Sequence, residues 1–497
     1  MNTSPTARTV AWWRPQPVES GFSRMTSGSN NLANPVYPAT AGRCGASTAN
    51  TVAFRALVAF TAILLLSPQA WFPVLGQLRI AFVAAAIAIG AHLMDRMVRR
   101  DSAPPFNGEI GVALLLVGWA VITVPVSYWA GGSVEVLTSQ YIKAVVFFWL
   151  VATLATTERR LKTVAWTLVL CAIPLAGTGL SNYLSGEVLS TGVPGLKRIY
   201  GYMGGSGLAA NPNDLALMLN LIIPIAAALM ISTRNLAARS VAAMAMLISV
   251  AGVIVTFSRA GFLTLAATGV MLLALLARRH SNGAGALLVA VALVVPVLVP
   301  DSYFDRLSTI TDIEADRTGS AQGRWQDVVV SAGIVAQNPI VGAGIGNDML
   351  ALNRYRGRDT YRSVHNAYLQ YAVDLGLPGL LLFAWLHIMC FRSARRLERL
   401  ARQHEALKSL GPLAAGVQVS LVTFFVAAMF HPIAYQFYFF TIGGLAVALK
   451  NTARAVAGAD EPVRATRHRL APTSADASAS ARSALADTLA GGRVPLS

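Results

Sequence analysis

Of the 497 residues, 55% are hydrophobic and only 13% are charged, whereas a soluble globular chain carries about a quarter charged residues. No single water-soluble core hides that much apolar surface, which excludes an ordinary cytosolic enzyme and calls for a polytopic membrane protein. Lys and Arg outnumber Asp and Glu by 40 to 23, and on a membrane chain this charge of +17 poses a question of sidedness rather than of nucleic-acid binding.

Residues 1–52 are rich in Ser, Thr, Asn, Pro and Gly, hold four Arg and one Glu, and lack an apolar core; they read as a disordered tail, not a cleavable signal. Apolar runs then follow at 53–72, 78–94, 110–128, 141–156, 163–180, 214–231, 240–257, 260–277, 284–300, 367–391, 413–430 and 433–448. Each approaches the roughly 20 residues that carry a helix across the hydrocarbon. The predicted fold is therefore an all-α integral membrane protein of about 12 transmembrane helices. Very tight turns between 240–257 and 260–277, and between 413–430 and 433–448, lower the bound to ten. Nine helices fall in 53–300 and three in 367–448, separated by a long loop at 301–366. The stretch 449–497 is Ala/Ser/Arg-rich and reads as a second disordered tail.

Charge assigns the sides. With a cytoplasmic N-terminus, the short inner loops hold Arg96, Arg99 and Arg100; Arg159, Arg160 and Lys162; Arg234 and Arg239; Arg278 and Arg279; and Arg392, Arg395, Arg396, Arg399, Arg402 and Lys408. The short outer loops hold only Arg79, Lys143, Lys197, Arg198 and Arg259. Sixteen basic residues against five satisfy the positive-inside rule and put both termini in the cytoplasm. The loop at 301–366 is outward and nearly balanced, with seven Arg and eight acidic residues. Loops of this length usually have a function. Within it Trp325, Val328, Val329, Ala332 and Val335 recur at helical spacing, predicting a short amphipathic helix against the membrane surface.

Several outward residues offer chemistry. Arg198 lies upstream of Asn211-Pro212-Asn213-Asp214, an Asx-Pro pattern that favours a turn or a helix start. Arg259 sits in Thr256-Phe257-Ser258-Arg259-Ala260-Gly261, a turn of two or three residues between apolar helices. A guanidinium there either snorkels to the interface or grips a phosphate through paired donors. Arg324 opens the amphipathic helix, with Asp327 or a lipid phosphate as its ordinary partners. His365-Asn366 begins the tenth span. A neutral imidazole there either bonds at the helix start or takes a proton from a hydroxyl near neutral pH. Asn366, Gln370 and Asp374 follow at i, i+4 and i+8 as a polar stripe, which suggests a helix facing a cavity.

Other features carry less. Cys44, Cys171 and Cys390 show no metal or disulfide spacing, and the last two read as buried apolar thiols. The run Gly342-Ala343-Gly344-Ile345-Gly346-Asn347 lacks the strand–turn–helix context of a nucleotide site. Asp312, Glu314 and Asp316 read as a solvated acidic loop. No Walker motif, metal cluster or haem signature is present in the sequence, so no metal ligands and no cofactor are expected.

Gly323-Arg324-Trp325, then Asn338-Pro339-Ile340-Val341 leading into the glycine run, then His365-Asn366-Ala367-Tyr368-Leu369-Gln370 through Gly376-Leu377-Pro378-Gly379, resembles the O-antigen ligase and Wzy-type polymerase family. That family's signature is a His, an Asn or similar polar residue, nine residues, Gly, two residues, and a small residue or Tyr. His365, Asn366, Gly376 and Gly379 match it in full. The Phe257–Gly261 turn and Asn211-Pro212-Asn213 also look like the family, and the resemblance spans about 190–390. It implies a metal-independent glycosyltransferase of the bacterial cytoplasmic membrane, with its site facing the periplasm. The implied donor is an undecaprenyl-diphosphate-linked oligosaccharide and the acceptor a glycan or glycolipid. In this picture His365 is catalytic; Arg259, Arg324 and, less centrally, Arg198 bind the pyrophosphate; Asn366, Asn213 and Asp374 support them. The pathway is O-antigen, capsule or exopolysaccharide synthesis, with a chain-length regulator or flippase as further partners and no nucleic acid.

Within the family the acceptor decides the reaction. A polymerase extends another lipid-linked unit, a ligase transfers to lipid A–core, and relatives transfer to protein; polymerase is favoured because no core-lipid recognition feature is visible. A lipid-linked oligosaccharide flippase or other transporter is the competing class. It predicts internal duplication and mid-membrane ionisable groups, whereas the polar residues here gather at the outer boundary.

Overall fold

In a computed structural model, residues 48–99, 108–190, 197–199, Tyr202, Ala209, 211–278, 320–357 and 362–470 are described. They form thirteen principal helices: α1 Thr48–Leu66, α2 Ile80–Arg99, α3 Gly108–Thr123, α4 Ala130–Leu154, α5 Glu158–Leu184, α6 Pro212–Ser232, α7 Leu236–Val255, α8 Arg259–Arg278, α9 Ser320–Gln337, α10 Asp348–Arg356, α11 Ala367–Gln403, α12 Gly411–Ala428 and α13 Phe437–Leu470. Ten helices among the described residues are long and apolar enough to cross a membrane, so the chain is an all-α integral membrane protein. The expected ninth span, 284–300, lies outside the described residues. The expected twelfth, 433–448, corresponds to the buried apolar start of α13, whose polar continuation dilutes its hydropathy. The fourth span begins earlier than its apolar run, at Ala130, because Ser133, Glu135, Thr138, Ser139 and Gln140 interrupt the hydrophobic pattern without breaking the helix.

One small departure from the helical plan is an antiparallel hairpin, with β1 at Val188–Ser190 and β2 at Lys197–Ile199. It caps α5, where Ile199 is buried against Gly179.

The bundle is centred on α6, which packs against α5, α7, α8 and α12 and is almost wholly buried. In a bilayer, apolar side chains gain little by leaving lipid, so close backbone approach matters more. Gly252 therefore faces Leu219 and Ala176, Gly261 faces Ala216, and Gly416 sits on Ala228 and the Pro224 carbonyl; each contact is too close to admit a Cβ without displacement. A tier of rings, including Tyr371, Phe383, Phe424 and Phe439, joins α11, α12 and α13. Cys171 and Cys390 are buried free thiols, as expected.

Helix α11 is bent near its start. Gly376 has φ +67°, and Pro378 has no N–H to donate. An unbroken helix would use the Val373 and Asp374 carbonyls for the N–H groups of residues 377 and 378. Here Ala343 and Gly344 donate to those two carbonyls instead, both at 2.8 Å, while Leu377 donates to Pro339 at 2.8 Å. The glycine run is thus a turn that satisfies the broken helix. Gly342, Gly344 and Gly346 all have positive φ, and a Cβ at Gly342 would strike the Val373 and Asp374 backbone.

Candidate active site

The starts of α6, α8 and α11 and the C-terminal end of α12 meet at one end of the bundle. Asn211 begins α6 by accepting the N–H groups of Asn213 and Asp214, both at 2.9 Å, with Pro212 in the first helical turn. Asn213 then reaches the turn between α7 and α8, where its Oδ1 accepts the Ser258 hydroxyl at 2.8 Å. The Ser258 hydroxyl in turn accepts the Gly261 N–H at 3.1 Å. Phe257, at φ +51°, is forced into the left-handed region by the shortness of this link and packs against Tyr183. The turn therefore presents half-buried Arg259 as the first residue of α8, on a rigid base.

Helix α9 carries Arg324, half-buried, in its first turns and includes Trp325, Val328, Val329, Ala332 and Val335. Trp325 is 66% exposed and Val329 56% exposed, while Asp327, Ser331 and Ile334 are buried inward. The Asp327 carboxylate accepts Arg356 at 2.5 Å and faces Arg362 at 3.5 Å, so this acid anchors α9 to α10 and to the segment before His365. Gly323 leaves room for the Arg362 guanidinium to lie across the helix.

His365 is half-buried. Its Nδ1 is 2.9 Å from the Ser363 carbonyl oxygen, an atom that only accepts, so the proton resides on Nδ1 and the lone pair on Nε2. Burial and then the Arg324 guanidinium, with a lesser effect of Arg362, hold the imidazole below the ordinary histidine range, against the opposing Ser363 carbonyl and Asp327. The group is neutral at neutral pH and has the form of a general base. Asn366 caps α11, accepting Tyr368 and Leu369 N–H groups at 3.0 and 3.1 Å. Asp348 accepts the Val364 N–H at 2.7 Å and fixes the backbone beside His365; burial pushes its carboxyl upward.

The remainder of the predicted stripe is engaged by protein rather than by a cavity. Gln370 accepts the Ala434 N–H at 3.1 Å. Asp374, fully buried, accepts Gly346 N–H at 2.9 Å and the Tyr435 hydroxyl at 3.0 Å. Both residues clamp neighbouring segments to α11. Arg198 occupies the middle of β2, opposite Leu189.

One histidine escaped the sequence reading. His431, 2% exposed, follows α12, and its Nδ1 lies 2.8 Å from the Ala427 carbonyl. Burial, with Arg324 and His365 acting in the same direction, lowers its pKa to about 4, and its Nε2 is buried without a hydrogen-bond partner. The available signal was its place in a predicted outer turn, on the same side as His365. The apolar runs on either side concealed it.

Residues 244–384 match the family model described as O-antigen ligase. The match contains Arg259, Arg324, His365, Asn366 and Asp374 and stops short of Arg198, Asn213 and His431. No curated protein matches the chain.

Proposed function

We propose that this chain, a member of the O-antigen ligase family through residues 244–384, transfers glycan units from a polyprenyl diphosphate to an acceptor hydroxyl and acts as a polymerase on the periplasmic face of the bacterial inner membrane. The observation that carries this reading is the neutral His365, its Nε2 lone pair uncommitted to the Ser363 carbonyl, beside the Arg324 cation.

In the transfer, the acceptor O–H gives its proton to His365 Nε2 as its oxygen bonds to the anomeric carbon. The bond from that carbon to the phosphate oxygen breaks, and the electron pair leaves on the lipid diphosphate. A sugar 1-diphosphate is already activated, so no nucleotide is consumed. What the site must supply is a base and cations for the charge that grows on the leaving group. Arg259 and Arg324 have the planar donor pairs that suit phosphate oxygens, and Arg198 on β2 is a third contributor. Asn213 keeps the Arg259 turn in place through Ser258, and Asn366 and Asp374 hold the helix that follows His365. His431, neutral at working pH, is suited to accept a sugar hydroxyl rather than to bind the anion.

The sidedness rests on the inner-loop arginines, and the absence of an ATP motif agrees with chemistry on an outer face. The test is a deletion strain complemented with the wild type or His365→Ala. Single unpolymerised lipid-linked repeats in the deletion strain support a polymerase; full-length glycan retained on the carrier points to transfer onto lipid A–core instead.

A further inference from the structure

At the end of α11 away from the site, one helix face changes character abruptly. Leu377, Leu381, Trp385 and Ile388 are exposed at spacings of three or four residues, as a lipid-facing stripe requires. The same spacing continues through Arg392, Arg395 and Arg399, with Arg396 beside them, all exposed. At 1.5 Å per residue, the apolar part from Leu377 to Ile388 and the basic part from Ile388 to Arg399 are each about 16 Å long.

These arginines border a groove of about 690 Å³ between α11 and α12, whose apolar walls include Ile388, Phe391, Val422 and Phe425. His387 lines it too, nine-tenths buried, with a ring Nδ1 that has no hydrogen-bond partner. Among the described residues none of the four guanidiniums makes a hydrogen bond or ion pair. The nearby Glu398 is turned to Arg402 at 2.7 Å and Gln418 at 2.8 Å. Like charges three and four residues apart on a helix repel, so four of them on two turns call for an external anion.

We propose that this groove is a binding site for an anionic phospholipid, its phosphate held by Arg392, Arg395, Arg396 and Arg399 and an acyl chain lying along Ile388 and Phe425. The occupant must be anionic at the headgroup level and apolar below it, and a membrane phospholipid has both parts in that order.

The experiment is native mass spectrometry of the full chain, extracted from vesicles of cardiolipin, phosphatidylglycerol and phosphatidylethanolamine, for the wild type and for the quadruple Arg→Gln variant at 392, 395, 396 and 399. Arg234→Gln/Arg239→Gln serves as the charge control. A basic residue near an anionic leaflet is worth about a fivefold change in binding. The wild type and the control should retain cardiolipin or phosphatidylglycerol over phosphatidylethanolamine, and the quadruple variant should lose at least about tenfold of that retention. Should the quadruple variant fail to fold, Arg395→Gln and Arg396→Gln singly should each lose part of it. Equal retention by wild type and Arg→Gln variants, equal loss in the control, or no preference over phosphatidylethanolamine overturns the proposal.

Discussion

At His365 the deciding quantity is which ring nitrogen holds the proton. The Ser363 carbonyl fixes it on Nδ1, and burial with Arg324 keeps the second proton off. A base works only when neutral, so activity should fall as pH drops through its pKa, and the acidic limb of kcat/KM should lie below about 6.5, the value of a free histidine. Arg324→Ala removes a cation that lowers this pKa, so the limb should move up in pH as the rate falls. A limb that stays in place would show that Arg324 does not act on His365. Arg324→Lys should not restore the rate, because a point charge lacks the paired donors of guanidinium. Ser258→Ala breaks the link to Asn213 and the contact to Gly261 N–H. A loss of about 1–2 kcal/mol in stability is expected, with a rise in KM for the lipid-linked donor as Arg259 loosens. Thermal unfolding in detergent and donor titration check the two parts separately.

The helices show how unevenly local sequence encodes the site. The tight turn before Arg259 and the start of α6 at Asn211-Pro212 were legible, because caps and turns depend on residues within four positions of each other. The role of the glycine run was not. It is set by carbonyls some 30 residues away, which a broken α11 leaves without partners. The polar stripe misled for the same reason: periodicity places Gln370 and Asp374 on one face but cannot tell a cavity from the Ala434 and Tyr435 groups that occupy it. His431 lay hidden because its place near Arg324 and His365 arises only from the convergence of four helix ends. The kink itself gives a prediction. Gly376→Ala puts a Cβ onto the Ile340 carbonyl at a φ that L-residues avoid, so it should destabilise the protein by more than about 1 kcal/mol and reduce transfer. Unchanged melting and activity in that variant would mean that α11 does not need its bend.

Across the whole molecule, the basic inner loops and the proposed site fall at opposite helix ends. Arg259, Arg324, His365 and His431 belong to the end where α8 and α11 start, while Arg96, Arg159, Arg234 and Arg392 belong to the ends of helices that the positive-inside rule puts in the cytoplasm. Cysteines introduced one at a time at Trp325 and at Arg234 should react with a membrane-impermeant thiol reagent in intact cells at the first position only. Labelling of the second instead would reverse the sidedness. The central claim is that His365 supplies the base for glycan transfer. Its most direct measurement is consumption of lipid-linked oligosaccharide, extracted from the deletion strain, by the full chain in reconstituted vesicles. The wild type should form longer glycan and release lipid diphosphate, with His365→Ala slower by at least about a hundredfold at equal folding. Transfer by His365→Ala at the wild-type rate would contradict the account.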